Sequence, residues 1–256
     1  MLKKRLIGVV TVKDGWAVQS FGYRRYLPLG KPQWIVENLD RWGADEILVL
    51  CMDRSARQAG PDFALLESLA SMGLGTPLIY GGGIASAEDG VKVIQAGADR
   101  ISIDALLHDA PQVLIELGYQ LGVQALIAAV PMRMHNQMPC WHDYRHRRDL
   151  PLAALEKVLG RGLASELLVI DCEHEGRAAS FDTHLLDALP DWNMPLLAFG
   201  GISEASQMEE LLARPRVAAV GVGNFLSYRE LAIQQYKKVL ASPALRPALY
   251  ATDFPH

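Results

Sequence analysis

The sequence lacks most of the features that mark secreted, membrane-spanning or nucleic-acid-binding proteins. Its three cysteines are an odd number at wide spacing, which excludes a disulfide framework and favours a reducing cytoplasm. No run approaches the ~18 uninterrupted apolar residues of a membrane-spanning helix. The net charge of −4 argues against general nucleic-acid binding. We therefore expect a cytoplasmic protein that binds neither a membrane nor nucleic acid.

Linkers and low-complexity segments are also absent, and strand-like segments alternate with helical ones along the whole chain. The strand-like segments are apolar with little polar alternation, as expected for strands covered on both faces. Eight such units predict an α/β protein, a single (β/α)8 TIM barrel with one domain over residues 1–256. The predicted strands are Leu6–Thr11, Glu46–Cys51, Leu78–Tyr80, Arg100–Ile103, Ala125–Val130, Glu166–Asp171, Leu196–Phe199 and Ala218–Val222. Helices are predicted at Gln33–Trp42, Ala87–Ala96, Leu152–Leu159 and Ala205–Leu212.

Two long loops, 14–31 and 131–150, follow the first and fifth predicted strands. In such barrels the loops after the strands form the active face. The second loop contains three histidines and a cysteine, but their spacing matches no standard metal-ligand pattern. We interpret it as a polar lid or a partner-contact loop, and we predict no metal and no cofactor.

A glycine pattern occurs once in each half of the chain. Residues 77–84 (PLIYGGGI) reappear at 195–202 (PLLAFGGI), with an offset of 118 residues. A strand that runs into a glycine pair and a helix start presents free backbone N–H groups to anions. The two copies predict phosphate cradles at Gly82–Gly83 and at Gly200–Gly201. They indicate either a ligand with two anionic ends or two half-barrels descended from one.

Several motifs occur together and in order. They are Met1–Ile7, Val12–Gly15, Gly43–Ile47, Gly81–Ile84, Gly97–Ile103 and Gly200–Gly201. Together they resemble the family of the cyclase subunit of imidazole glycerol phosphate synthase, a barrel family of histidine biosynthesis. The resemblance covers nearly the whole chain. It implies two phosphate sites related by half-barrel symmetry and a glutaminase (HisH-like) partner on the bottom face, whose ammonia passes through the barrel.

The segment Val18–Tyr26, followed by Gly30–Pro32, resembles more closely a paralogue branch found with surface-polysaccharide genes. That branch is thought to deliver ammonia from its own glutaminase-like partner to an acetamido sugar, which becomes an acetamidino sugar. The resemblance implies a lipopolysaccharide-type pathway rather than histidine biosynthesis.

Charged residues stand at four predicted strand starts. They are Arg5, Glu46, Arg100 and Glu166. Two cations and two anions inside a barrel mouth can neutralise each other, whereas unpaired charges there are costly. In the resembled family these positions form an ionic ring that gates the ammonia channel, with Lys in place of Arg100. Solvated strand-start charges are the alternative interpretation.

The resemblance weakens at the top of the barrel. The family uses two aspartates, at the ends of strands one and five, as general acid and base. This chain has Thr11 at the first position and Pro131 at the second, or Val130 if the alignment shifts by one. Neither can exchange protons usefully near neutral pH. A family lysine in the first loop is replaced by Gln19.

Other carboxylates follow the predicted strands and are candidate replacements. Asp171 is the first candidate acid/base, Asp53 the second and Asp14 a third, because a barrel places all strand ends around one mouth. For each of them a helix N-cap or a loop salt bridge is the competing structural interpretation.

The two cradles differ in their partner residues. Gly200 and Gly201 pair with Gly223 and Asn224, whose side-chain N–H suits a phosphate. Gly82 and Gly83 pair with Asp104, where the family has Asn. A carboxylate repels phosphate but accepts hydrogen bonds from sugar hydroxyls. This difference predicts a substrate with one phosphorylated end, such as a nucleotide-linked sugar.

The sequence therefore favours an ammonia-accepting synthase subunit of a divergent glutamine amidotransferase, of lyase or cyclase descent, that acts on a phosphorylated or nucleotide-linked sugar. Two alternatives stay open. One is the authentic cyclase of histidine biosynthesis. The other is a non-catalytic barrel that binds and activates a glutaminase.

Overall fold

A computed structural model describes residues 3–247, and the predicted domain of residues 1–256 extends past them at both ends. The strands are β1 Arg5–Lys13, β2 Trp16–Phe21, β3 Arg25–Gly30, β4 Glu46–Cys51, β5 Leu78–Gly81, β6 Arg100–Ile103, β7 Leu126–His135, β8 Met138–Asp143, β9 Arg148–Pro151, β10 Glu166–Asp171, β11 Leu196–Phe199 and β12 Val217–Val222. The helices are α1 Pro32–Arg41, α2 Phe63–Ala70, α3 Ala87–Gln95, α4 Ala105–Asp109, α5 Val113–Leu121, α6 Leu152–Leu159, α7 His184–Asp187, α8 Ala205–Ala213 and α9 Ala232–Leu240, with 3-10 turns at Val123–Ala125 and Asn224–Tyr228.

Eight strands pair in parallel and close on themselves in the order β1–β4–β5–β6–β7–β10–β11–β12–β1. The predicted (β/α)8 TIM barrel is confirmed, and all eight predicted strands fall on these eight. None of the helices in residues 3–247 has the length and apolar content that a membrane crossing requires.

Side chains alternate between the inside and the outside of the barrel. Ile7, Leu48 and Ile170 belong to an inner apolar cluster, whereas Leu6, Ile47 and Val169 belong to the outer cluster that packs against the helices. Successive side chains on a strand point to opposite faces, so a strand buried on both faces reads as an unbroken apolar run. This explains why the strands show little polar alternation in the sequence.

Antiparallel hairpins occupy both segments that the sequence predicted as long loops. Strands β2 and β3 form one hairpin after β1, and β7 continues into β8 and β9 after the fifth barrel strand. Asn136 and Gln137 both have φ near the left-handed region, 50° and 62°. Such a pair forms the two-residue turn that suits the twist of a hairpin. The sequence predicted loops in both places and placed no strands in them, and at Asn136–Gln137 the glycine that usually marks such a turn is absent.

A buried ion pair fastens the last helix to the barrel. Lys237 of α9 donates to Asp45 Oδ1 at 2.7 Å and to the Gly43 carbonyl at 2.8 Å. The other oxygen of Asp45 accepts the Leu6 N–H at 2.7 Å. Both charged side chains are almost fully buried. Removal of one partner of such a pair leaves an uncompensated buried charge.

We expect Lys237→Met to lower the free energy of unfolding by about 3 kcal/mol, because it leaves Asp45 buried and unpaired. The matched control is Lys238→Met on the exposed side of the same helix, which should change it by less than ~0.5 kcal/mol. Urea denaturation followed by circular dichroism measures both. Equal effects of the two substitutions would contradict the assigned role of the pair.

Candidate active site

One large cavity opens at the carboxyl ends of the barrel strands, and its volume is about 960 Å³. Its floor includes Leu50, Ala129 and Ile170 of the inner strand faces. Its walls come from the loops that follow strands β1, β4, β5, β6, β7 and β10. This is the face on which barrels of this kind place their active sites.

Both hairpins contribute walls to the cavity. Tyr23 lies at the turn of the β2–β3 hairpin, and Tyr144 lies between β8 and β9; both line the cavity. The β2–β3 hairpin is held by Glu175, whose carboxylate accepts hydrogen bonds from Ser20 Oγ at 2.9 Å and from the Tyr23 N–H at 3.3 Å. The segment 131–150, which we call the lid, contributes Arg133, His142 and Tyr144 to the cavity wall; its role as a lid or a partner-contact loop stays a prediction. In the described part of the chain no group of three His, Cys, Asp or Glu side chains could hold a metal ion.

The first cradle, Gly82–Gly83, opens into the cavity. Gly82 and Gly83 have φ of 127° and 75°, and a Cβ on either would lie 2.2 Å from a backbone oxygen, of Cys51 and of Gly60 respectively. These positions therefore require glycine. The Gly83 N–H is not free, since it donates to Ser55 Oγ at 3.0 Å.

Asp104 lies beside this cradle and lines the same cavity. Burial raises the pKa of its carboxyl, and His108 opposes that shift. His108 Nε2 lies 3.6 Å from Asp104 Oδ1. Gly82, Gly83 and the Asp104 carboxyl thus line one cavity, and repulsion of a phosphate there stays a prediction.

Three buried polar atoms of the cavity wall have no hydrogen-bond partner within residues 3–247. They are Tyr23 Oη, Ser102 Oγ and Asp104 Oδ1. Buried polar atoms are rarely left unpaired in proteins, so unpaired atoms on a cavity wall point to a polar ligand. Two hydroxyls and a carboxylate can each accept hydrogen bonds, and the hydroxyls can also donate. This combination suits the hydroxyl and amide groups of a sugar.

Cations from three separate loops line the mouth of the cavity. They are Arg24 after β1, Arg147 in the lid and Arg177 after β10. All three are exposed, and none of their guanidinium groups pairs with another part of the described chain. Arg147 has φ of 52°, a conformation that disfavours side-chain-bearing residues. Several unpaired guanidinium groups around one cavity favour an anionic ligand group.

The second cradle is arranged differently from the sequence prediction. Gly200, Gly201 and Asn224 are buried and are not among the residues that line the large cavity. Asn224 accepts the Ser20 N–H at 3.0 Å and donates Nδ2 to the Ser20 carbonyl at 2.6 Å. The side-chain N–H predicted for a phosphate is thus bonded to the β2–β3 hairpin. Gly223 borders a small separate pocket beside Thr11.

The three predicted acid/base residues lie in three different environments. Asp53 lines the cavity, pairs with Arg57 at 3.0 Å and accepts the Asp14 N–H at 3.1 Å. Asp14 is half exposed, and hydrogen bonds from Lys13 and Arg57 lower its pKa to about 2. A carboxyl with so low a pKa is a weak base at neutral pH. Asp53 thus stays a candidate, whereas the environment of Asp14 does not suit the role.

The side chain of Asp171, the last residue of β10, lies on the outer face of the barrel. Its buried carboxylate accepts hydrogen bonds from the His174 N–H at 3.1 Å, from His174 Nδ1 at 2.8 Å and from the Asp182 N–H at 2.8 Å. Ile170, one residue before it, points into the cavity, so Asp171 points to the helices. The Asp171 carboxylate therefore holds the loop after β10 together, in line with the competing structural interpretation. This geometry does not favour Asp171 as an acid/base.

Thr11 and Pro131 occupy the positions at which the resembled family has its two catalytic aspartates. Pro131 lines the cavity at the end of the fifth barrel strand, paired in register with Ile170. Thr11 is buried and does not border the large cavity. No proton-exchanging group therefore occupies either position.

Sequence reasoning missed an imidazole on the cavity wall. His142 of β8 lines the cavity, and its Nδ1 lies 2.8 Å from Asp149 Oδ1 on β9. Arg133 of β7 grips the same carboxylate with Nε at 2.9 Å and Nη2 at 2.6 Å. The polar alternation at Arg133 and His135, followed by Asn136, was the sequence signal of a hairpin that would place these residues on one face.

The four strand-start charges form a closed ionic ring at the opposite end of the barrel. Arg5 contacts Glu46 at 3.0 Å and also Glu166, and Arg100 contacts Glu166 at 2.6 Å and Glu46 at 3.4 Å. Burial raises the pKa of Glu46, against the effect of the two arginines. Arg100 also donates to the Gln124 carbonyl and to Ser165 Oγ, so its planar fork is held on every side.

Fold and site together define a TIM-barrel protein with a polar, arginine-rimmed cavity at the top and an ionic ring at the bottom. Residues 5–232 match the sequence profile of the histidine biosynthesis protein family. The chain therefore belongs to this family.

Its relatives include imidazole glycerol phosphate synthase subunits HisF of Exiguobacterium sp., 28% identical over 246 residues (94% of this chain, 95% of that one), and of Exiguobacterium sibiricum, 32% identical over 235 residues (88% and 91%). A Vibrio vulnificus protein named "Putative imidazole glycerol phosphate synthase subunit hisF2" is 29% identical over 234 residues (90% and 85%). The chain is thus HisF-like.

We expect the wild-type cavity to bind inorganic phosphate weakly, because the Asp104 carboxylate lies beside the open cradle. Asp104→Asn should tighten binding by about tenfold or more, since it removes one like-charge repulsion. Burial raises the pKa of Asp104, so the difference should be largest at pH 8 and shrink as the pH falls. Isothermal titration calorimetry measures it.

The control for this titration is Glu88→Gln on α3, a solvent-exposed carboxylate on the helix that follows the cradle. It should leave phosphate binding unchanged. Tight phosphate binding by the wild-type chain that Gly83→Ala abolishes would show instead that the first cradle is a phosphate site.

Proposed function

We propose that this chain is the ammonia-accepting synthase subunit of a glutamine amidotransferase, and that its substrate is a phosphorylated or nucleotide-linked sugar of surface-polysaccharide biosynthesis. The closed ring of Arg5, Glu46, Arg100 and Glu166 is the observation on which the proposal chiefly rests. A ring of buried, mutually compensating charges is costly to maintain for stability alone. It suits a gate at the entry of a route through the barrel.

The interior above the ring supports a route for ammonia. Leu48, Ile79 and Ala219 belong to the apolar cluster between the ring and the cavity. Ammonia is small and neutral, so an apolar interior admits it at lower cost than it admits an ammonium ion. We therefore assign a glutaminase of the HisH type as the partner at the ring end, and the cavity as the place where ammonia reacts. Three free thiols fit a cytoplasmic location.

The cavity supports a nucleotide-linked sugar. Three unpaired arginines at the mouth suit a diphosphate, and the unpaired polar atoms of Tyr23, Ser102 and Asp104 deeper in the wall suit the sugar. An acetamido group in that inner region would meet the incoming ammonia. Replacement of its carbonyl oxygen by nitrogen gives an acetamidino group and water.

The authentic histidine-pathway cyclase is the second candidate, since the two Exiguobacterium relatives are named imidazole glycerol phosphate synthase subunit HisF. Pro131 in the cavity wall weighs against it, because the ordinary acid/base carboxylate is replaced by a residue without a titratable group.

Under the third possibility, a scaffold that only activates a glutaminase, substitution of Asp104 should leave every activity of the complex unchanged.

We expect UDP-N-acetylglucosamine, as a representative nucleotide-linked sugar, to raise the melting temperature of the chain, whereas the ribonucleotide substrate of the histidine pathway should not. A ligand at 100 times its Kd stabilises by about 2.7 kcal/mol. Thermal denaturation with each ligand measures the effect. Turnover of the histidine-pathway intermediate with ammonium would overturn the proposal in favour of the cyclase.

The arginines provide a finer test of the same binding. Arg24→Ala, Arg147→Ala and Arg177→Ala should each weaken UDP-N-acetylglucosamine about tenfold or more, since a hydrogen bond to a charged group contributes ~1.5–3 kcal/mol. The neighbours Arg25 and Arg148 are matched controls. Arg25 lies over the Phe21 ring and Arg148 pairs with Asp143, and neither lines the cavity. Equal losses at lining and control positions would contradict the assignment.

We expect Arg5→Ala and Glu46→Ala to lower glutamine-dependent synthesis by the assembled complex more than ammonium-dependent synthesis. Free ammonium reaches the cavity from solvent, whereas glutamine-derived ammonia must pass the ring. The ratio of the two rates measures the effect, with Lys92→Ala, in an exposed helix pair, as the control. A constant ratio in both variants would remove the ring from the ammonia route.

A further inference from the structure

Four histidines in the described residues pair through Nδ1 with an aspartate at 2.8 Å. The pairs are His142–Asp149, His146–Asp143, His174–Asp171 and His184–Asp182. In the last three pairs the backbone N–H of the histidine also donates to the same carboxylate. Each of these pairs therefore closes a local turn of two or three residues. His142 differs from the others because its partner lies on a neighbouring strand, and of the four it alone lines the cavity.

The His142–Asp149 pair is built from three strands. His142 and Asp149 are register partners in the β8–β9 pairing, so their side chains share one face. Arg133 opposes Cys140 in the β7–β8 pairing, diagonal to His142 on that face. Its two hydrogen bonds to Asp149 fix the carboxylate, and the carboxylate fixes the imidazole. Such mutual support is typical of catalytic histidines oriented by a carboxylate.

The network assigns the proton on the ring. Hydrogen bonds from Arg133 lower the pKa of Asp149, so its carboxylate is ionised and accepts only. Nδ1 of neutral His142 therefore carries the hydrogen, and Nε2 carries a lone pair. Nε2 has no hydrogen-bond partner in residues 3–247. An imidazole with a fixed Nδ1–H and a free Nε2 on a cavity wall is arranged as a general base.

We propose that His142 is the catalytic general base and acid of this cavity, and that Asp149 and Arg133 are its positioning residues. The inference rests on the proposed function, and it supplies the proton transfer that neither Thr11 nor Pro131 can perform. The substrates at this site are ammonia and a sugar that carries an electrophilic carbonyl carbon.

The proton balance of the first step is simple. The ammonia nitrogen forms a bond to the carbonyl carbon while the C=O π bond breaks and its electron pair moves to oxygen. The nitrogen then carries one proton too many, and His142 Nε2 removes it. The resulting imidazolium, stabilised by Asp149, returns that proton to the oxygen. The product of this step is a neutral tetrahedral adduct, whose carbon carries one hydroxyl and one new amino group, and His142 is again neutral.

Other ionisable groups of the wall are less suited to this transfer. Burial raises the pKa of the Cys51 and Cys172 thiols to about 12, and it also raises the pKa of the Tyr144 phenol. Asp53 is engaged by Arg57. The two thiols and the phenol therefore stay protonated near neutral pH, where an imidazole side chain in general can exchange its proton.

The test uses the full chain with ammonium chloride and a panel of nucleotide-linked N-acetyl sugars, followed by mass spectrometry of the products. His142→Gln should lower kcat by about 10²- to 10⁴-fold, which is the usual contribution of a general base, and leave KM nearly unchanged. Asp149→Asn should lower kcat less, again with KM unchanged. Added imidazole should partly restore His142→Ala.

His146→Gln is the matched control, because His146 lies on the same lid, pairs with an aspartate at the same distance and does not line the cavity. It should keep wild-type kcat. Melting temperatures of all variants show whether a lost activity reflects misfolding, and imidazole rescue identifies a folded variant that lacks only the base. Wild-type turnover with an unimpaired His142→Gln variant overturns this inference alone. A wild-type chain that uses no nucleotide-linked sugar overturns the proposed function and this inference together.

Discussion

The alternation of side chains along the closed barrel strands decides which polar groups can take part in chemistry. Pro131 and Ile170 are register partners and point into the cavity, so the next pair, Met132 and Asp171, points to the helices. The same parity brings the strand-start charges Arg5 and Glu46 inside, in step with Ile7 and Leu48. A shift of one residue would reverse every one of these assignments.

The hairpins determine the rest of the site, because they reach beyond the barrel and bend over its mouth. Ser20 of the β2–β3 hairpin bonds to Glu175 and to Asn224. These contacts close the second cradle and place Tyr23 in the wall of the large cavity. The β8–β9 hairpin likewise contributes side chains, those of His142 and Tyr144, to the wall of this cavity.

The barrel and the strand-start position of the four charges could be predicted from the sequence because both depend on short, regular patterns, whereas the pairing of these charges in a ring was what the family resemblance implied. Buried parallel strands read as apolar runs, and a charge at the start of such a run must lie at the barrel end. The His142–Asp149–Arg133 network could not be predicted in the same way. It depends on the register of two antiparallel pairings, and these are set by turns at Asn136–Gln137 and at Arg147, where residues with side chains take a conformation usual for glycine. Asp171 was predicted as an acid/base because it directly follows Ile170, which lines the cavity. Alternation along the strand turns the Asp171 side chain to the opposite, outer face of the barrel.

The two halves of the repeat place different groups beside the same glycine pair. At Gly82–Gly83 the cradle stays open, but Asp104 gives it the charge that repels a phosphate. At Gly200–Gly201 the amide that suits a phosphate is retained, but the Ser20 backbone occupies it. At each cradle one feature of a phosphate site is missing, while exposed guanidinium groups without a partner in residues 3–247 line the cavity. Flexible guanidinium side chains differ from a fixed backbone cradle in reach, because they can contact a larger anionic group than a cradle that admits only a small group at close range.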